Sequence, residues 1–154
     1  MMTKCCDVLK ALSGKTLVTA ESLTGGGIGA AITAVPGSSA VYKGGVISYT
    51  NEVKETVLGV PGEILDRCGA VSSQTAAYMA SGVRKLLNAD VAVSVTGLAG
   101  PGGDEYGNPV GTVFIGYEDA HQKTVKHCCF QGNREEVRNQ TVETALNLIL
   151  EYNR

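Results

Sequence analysis

The chain has 154 residues, 13 basic and 15 acidic side chains, a formal net charge of −2 and 44% apolar residues, enough to bury the core of one domain spanning residues 1–154. Slight acidity without a basic block argues against a nucleic-acid partner, since non-specific phosphate-backbone binding needs a basic face. No apolar run approaches the ~20 residues of a membrane helix, and Met1-Met2-Thr3-Lys4-Cys5-Cys6-Asp7 lacks a signal-peptide core, so the cytoplasm is the expected compartment.

In chain order, residues 3–12 place Val8, Leu9 and Leu12 on one helical face. Residues 16–20 read as a strand and 24–34 as a helix of small residues, broken by Pro36-Gly37. Val46 to Thr50 alternates with period two, as a strand does, and Asn51 then caps a helical turn holding Val53, Lys54 and Val57. Pro61 opens a short helix near 63–65. Ser72 or Ser73 caps a helix over 74–88 whose expected buried stripe is Ala77, Ala80, Val83, Leu86 and Leu87.

Val91 to Val95 is nearly all apolar, as expected of a strand covered on both faces. Residues 101–109 form a glycine-rich loop. Val110 to Tyr117 and Lys123 to Phe130 read as an antiparallel pair, and Arg134 to Tyr152 as a helix with the stripe Val137, Thr141, Ala145, Leu148 and Ile149. Helices and strands interleave early and a hairpin comes late, which predicts a three-layer α/β/α sandwich around a mixed sheet.

The five cysteines include two adjacent pairs, Cys5-Cys6 and Cys128-Cys129, and neither pair has metal-ligand spacing. His121 and His127 stand six apart in a polar stretch, more in keeping with surface positions than with a metal site. The expectation is reduced thiols, no metal and no cofactor.

The chemistry concentrates at strand ends. Ala20-Glu21-Ser22-Leu23-Thr24-Gly25-Gly26-Gly27 puts hydroxyls and glycines at a strand-to-helix junction, where backbone N–H groups attract anions and can stabilise an oxyanion. The same pattern also serves as an ordinary helix cap. Gly37-Ser38-Ser39 is a second hydroxyl cluster or a simple turn. Tyr49 and Lys54 straddle a strand-to-helix corner where two side chains can converge on a cleft, although a lysine one turn into a helix is commonly solvated.

Thr96-Gly97-Leu98-Ala99-Gly100-Pro101-Gly102-Gly103 follows the most apolar strand and allows close ligand approach. It lacks the Gly-Lys-Ser/Thr of a Walker loop, and no helix follows as a dinucleotide fingerprint requires. No histidine or cysteine has triad neighbours. A serine activated by a neutral lysine remains open, though without an SxxK signature such a pair must be assembled in three dimensions.

AESLTGG at 20–26, PGSSAVYKGGVISYTNEVK at 36–54, GAVS at 69–72, SVTGLAGPGG at 94–103, PVGTV at 109–113 and QGNREEVR at 131–138 together resemble the C-terminal domain of the CinA (competence/damage-inducible protein) family. Its stand-alone members are nicotinamide-nucleotide amidases. The resemblance implies hydrolysis of nicotinamide mononucleotide to nicotinate mononucleotide and ammonia, and a three-layer α/β/α fold. It implies Ser22 as nucleophile, Lys54 as general base, and Tyr49 as a residue that assists proton transfer or positions the pair. Ser39, Thr96 and Arg134 match substrate-lining positions.

Thr24, Gly25, Gly26, Gly97 and Gly100 complete the candidate substrate contacts, and either Gly25-Gly26-Gly27 or Arg134 is expected to hold the phosphate. Arg134 is also expected to help lower the lysine pKa. The pyrophosphatase-like domain of longer members is not expected in this chain, and a homodimer is compatible with its size. A non-catalytic nucleotide-binding module and an amidase preferring another amide are the competing readings.

Overall fold

Alternation along two strands decides the layering. In the computed structural model, which describes residues 1–154, Leu17–Glu21 (β1) is buried throughout, and Val91–Gly97 (β3) is buried up to Thr96. Successive side chains therefore leave the sheet on opposite faces into two separate cores. Leu17, Val91, Val93 and Val95 join the larger core, with Met2–Ala11 (α1), Gly27–Thr33 (α2) and Arg134–Asn153 (α6). Val18, Ala20 and Ala92 join the smaller one, with Gly62–Cys68 (α4) and Ser73–Leu87 (α5); the short helix Asn51–Thr56 (α3) precedes α4 and contributes no residue to either core.

The sheet is completed by Tyr42–Ile47 (β2), Thr112–Glu118 (β4) and Lys123–Cys129 (β5), in the order β2-β1-β3-β4-β5. β1 pairs in parallel with both β2 and β3, with Glu21 level with Ile47 on one side and Val95 on the other. β4 and β5 are antiparallel to their neighbours. This is the α/β/α sandwich around a mixed sheet that the pattern predicts. No helix is long and apolar enough to cross a membrane.

Local differences from expectation have identifiable causes. β2 starts at Tyr42 and ends at Ile47, so the strand expected over 46–50 begins and ends earlier and takes in Gly44-Gly45. A side chain at Gly45 would strike the hydroxyls of Thr19 and Tyr42, which bond to each other at 2.7 Å. The residue capping α3 is Thr50, whose hydroxyl accepts from Val53 N, and not Asn51.

The stripe on α5 also differs. Thr75, Ala76, Met79, Ala80 and Val83 are buried, whereas Ala77 and Leu86 are exposed. The Met79–Val83 row faces the sheet, where α5 packs on β3 and β4, and the Leu58 carbonyl fills the space where a Gly82 side chain would begin. Gly82→Ala is expected to destabilise the fold by about 1–3 kcal/mol through overpacking. Thermal melts of the two proteins check this, and an unchanged Tm would mean that α5 shifts freely.

Candidate active site

β1 feeds β2 on one side and, by way of α5, β3 lies on the other, so the strand order reverses at β1. Parallel α/β sheets bind ligands beyond the carboxyl ends of the strands at such a switch point. Here those ends are Glu21-Ser22, Ile47-Ser48-Tyr49 and Thr96-Gly97. A cavity of about 380 Å³ opens there, lined by Ser22, Leu23, Tyr49, Lys54, Ala70, Val71, residues 96–100, Gly102 and Arg134.

Lys54 is the feature sequence spacing alone ranks as a surface residue. It lies one turn into α3 but points back under the sheet end and is 1% exposed. Its Nζ donates to Ser22 Oγ at 3.0 Å, to the Ser48 carbonyl at 2.6 Å and to the Tyr49 carbonyl at 3.3 Å. Burial lowers its pKa from 10.5 to about 8, because a low-dielectric surrounding disfavours the charged amine. Burial is the cause; the expected contribution of Arg134 is not among the causes.

The geometry dictates what the neutral amine does. Carbonyl oxygens only accept, so the two protons of an uncharged –NH₂ go to Ser48 O and Tyr49 O. The lone pair is then left facing the Ser22 hydroxyl. Two backbone carbonyls thus aim a base at a nucleophile without any histidine.

The loop after Ser22 is fastened by a residue the sequence reading passed over. Glu21 is 2% exposed. Its carboxylate accepts from Thr24 Oγ1 at 2.6 Å, Ile28 N at 2.9 Å and Gly29 N at 3.0 Å. The Ile28 and Gly29 N–H groups at the start of α2 are therefore occupied by a built-in anion, and those of Gly25 and Gly27 bond to the Ser22 and Thr24 carbonyls, so two of the three glycines expected to cradle a phosphate have their N–H groups engaged. Thr24, Gly25 and Gly26 lie outside the cavity. Glu21 sits inside the AESLTGG stretch, and an acid shortly before a helix start is the signal that could have identified it.

The remaining candidates divide. Thr96 is 1% exposed and donates its hydroxyl proton to Ala70 O at 2.7 Å, so it offers a cavity ligand an acceptor. Gly97 and Gly100 line the wall. Arg134 donates to Gly100 O at 2.6 Å and to Tyr49 Oη at 3.2 Å, bridging the rim. The Tyr49 hydroxyl is thus engaged by Arg134, while its carbonyl holds Lys54. Ser39 lies in the 3₁₀ turn Ser38–Ala40 before β2, at the opposite end of that strand from the cavity, because strand length separates hydroxyl clusters that sequence leaves adjacent.

The cavity's only charged lining residues are Lys54 and Arg134. The N–H groups of its Leu23, Ala99 and Gly100 make no hydrogen bond within the protein and remain as donors. A capping box between Asn133 and Glu136 fixes the start of α6 beside the rim. No group of three His, Cys, Asp or Glu side chains is placed to hold a metal.

The family model described as the CinA C-terminal domain matches residues 1–153. A competence damage-inducible protein A (ComA) from Klebsiella pneumoniae superposes with a TM-score of 0.96 at 38% identity, covering 98% of this chain and 95% of that one. The competence/damage inducible protein CihA of Agrobacterium tumefaciens gives 0.95 at 38%, covering 99% and 95%. A CinA-like protein of Parasynechococcus marenigrum is 49% identical over 137 residues, 88% of this chain and 33% of its own length. The chain spans about a third of the length of the curated relatives it matches.

Proposed function

The chain belongs to the CinA C-terminal domain family, and from that premise we propose that it is an amidohydrolase converting nicotinamide mononucleotide to nicotinate mononucleotide and ammonia. The observation that carries the proposal is the Lys54 amine, held by two carbonyls with its lone pair toward Ser22 Oγ. Ser22 Oγ attacks the carboxamide carbon as its proton passes to Lys54. The oxyanion that forms is met by free N–H groups such as those of Leu23, Ala99 and Gly100.

Collapse breaks the C–N bond, and Lys54 returns the proton to the departing nitrogen, releasing ammonia and leaving the acyl group on Ser22. Lys54 then takes a proton from water, which attacks the ester. The nicotinate carboxylate leaves, and Ser22 recovers its proton. Thr96, as an acceptor, suits the carboxamide NH₂, and the Tyr49 carbonyl positions the base.

Ammonia release from a panel of pyridine nucleotides and simple amides tests the substrate class. Release from nicotinamide mononucleotide supports the proposal. Release only from other amides reassigns the substrate, and binding without release makes the protein a non-catalytic nucleotide-binding module.

The pH profile tests the base. With a lysine pKa of about 8, roughly one molecule in ten carries the neutral amine at pH 7. The ratio kcat/KM is therefore expected to rise with pH through a limb near 8 and level off above it. A profile flat from pH 6 to 9 would rule out proton abstraction by Lys54.

A further inference from the structure

We propose that Arg134 and Arg138 together form a subsite for a phosphomonoester dianion, in a second cavity beside the one that holds Ser22 and Lys54. This deepens the mononucleotide reading above and rests on it for the identity of the substrate. The second cavity measures about 430 Å³ and is bordered by Arg134, Arg138, Thr24, Gly27, Asn139, Val142 and Glu135. Arg134 borders both cavities, so a ligand that spans them passes it.

Neither arginine is neutralised by an acid. The ion pairs of the molecule are Lys4–Glu143, Arg84–Glu118 and Lys123–Glu118. Arg138 donates from Nε to Leu23 O at 3.0 Å and from Nη2 to Thr24 O at 3.2 Å, and Arg134 is held by Gly100 O and Tyr49 Oη. Such oxygens orient a guanidinium without cancelling its charge. Each fork keeps N–H donors to spare, since a guanidinium has five.

The two charges stand four residues apart on α6, where like charges repel, and in its first turns, where the helix dipole disfavours cations. An anion relieves both. Glu135 is the single carboxylate on the wall and is exposed; Glu136 is committed to the capping box. One carboxylate saturates one fork, whereas a phosphomonoester offers enough oxygens for two. The carbonyls that hold Arg138 belong to the first and second residues after Ser22, which puts phosphate and carboxamide in adjoining cavities with a pentose between them.

The test titrates ribose 5-phosphate, which has the phosphate and pentose but no amide, with ribose as the neutral control. Isothermal calorimetry of the full chain is expected to show ribose 5-phosphate binding and no ribose binding. Arg134→Gln and Arg138→Gln should each weaken binding about 10- to 100-fold. Arg138→Lys, which keeps the charge and loses the fork, should fall between wild type and Arg138→Gln, and melting curves verify that each variant folds.

Wild-type affinity in Arg138→Gln overturns the subsite, as does equal binding of ribose or no ribose 5-phosphate binding at millimolar concentration. Ammonia release by the wild type is scored separately. Phosphate-dependent binding without ammonia release sinks the amidase reading and leaves the subsite, while release with Arg138-independent binding does the reverse.

Discussion

Ser22→Ala is expected to lower kcat for ammonia release by about 10³-fold or more while changing KM by less than about threefold. Ser22 is 7% exposed, and its hydroxyl is one of three acceptors around Lys54 Nζ. Its removal leaves the amine on two carbonyls and opens only a small void, so melting should move little. Initial rates over a range of substrate concentrations, with a thermal melt on the same preparation, separate lost chemistry from lost fold. A variant with more than about a tenth of wild-type kcat excludes Ser22 as nucleophile. Ser39 could not replace it from the far end of β2; attack would then have to come from water activated directly by Lys54.

Lys54→Met and Lys54→Arg should both be inactive, for opposite reasons. Methionine has no base, and arginine stays protonated at any working pH. Their stabilities should diverge. The lysine pKa is about 8 in the folded protein against 10.5 when free, so below pH 8 the fold carries a desolvation penalty of about 3 kcal/mol. Between pH 8 and 10.5 the unfolded chain binds more protons, and wild-type stability rises with pH; above that range the penalty is gone.

Methionine removes the penalty but leaves the Ser48 and Tyr49 carbonyls without a donor, which offsets about 1–3 kcal/mol of the gain. Lys54→Met is therefore expected to melt no lower than wild type at pH 7, with its advantage shrinking as pH approaches 10. Arginine keeps a buried charge in a space shaped for lysine and should melt lower. Denaturation of all three proteins at pH 7 and pH 9.5 provides the check. Normal turnover in the arginine variant would reject the serine/lysine mechanism outright.

Part of the site was legible because its chemistry is confined to short segments. A strand, then Ser22 and glycines, then a helix, announces a strand-end loop without any knowledge of neighbours. The corner carrying Tyr49 and Lys54 was equally visible as a corner. Its importance was not, since a lysine at that position on an isolated helix faces water. The three acceptors around Nζ come from the residue after β1, from the residue after β2 and from the turn into α3, and no periodicity brings those together. Arg138 stands inside the QGNREEVR segment, yet its grip on Leu23 and Thr24 spans 115 and 114 residues.

By itself the sequence determined the order and kind of the elements, the alternation that separates β1 and β3 into two cores, and the stripe of α6, whose five expected positions are all buried. These follow from periodicity, a local property of the chain. Tertiary structure decided which face of α5 turns inward, because that depends on how the helix lies across β3 and β4. It decided that the Glu21 carboxylate occupies the Ile28 and Gly29 N–H groups at the start of α2. It also decided the charge state available to Lys54, since desolvation depends on what the whole fold packs around an amine and not on the residues next to it in the chain.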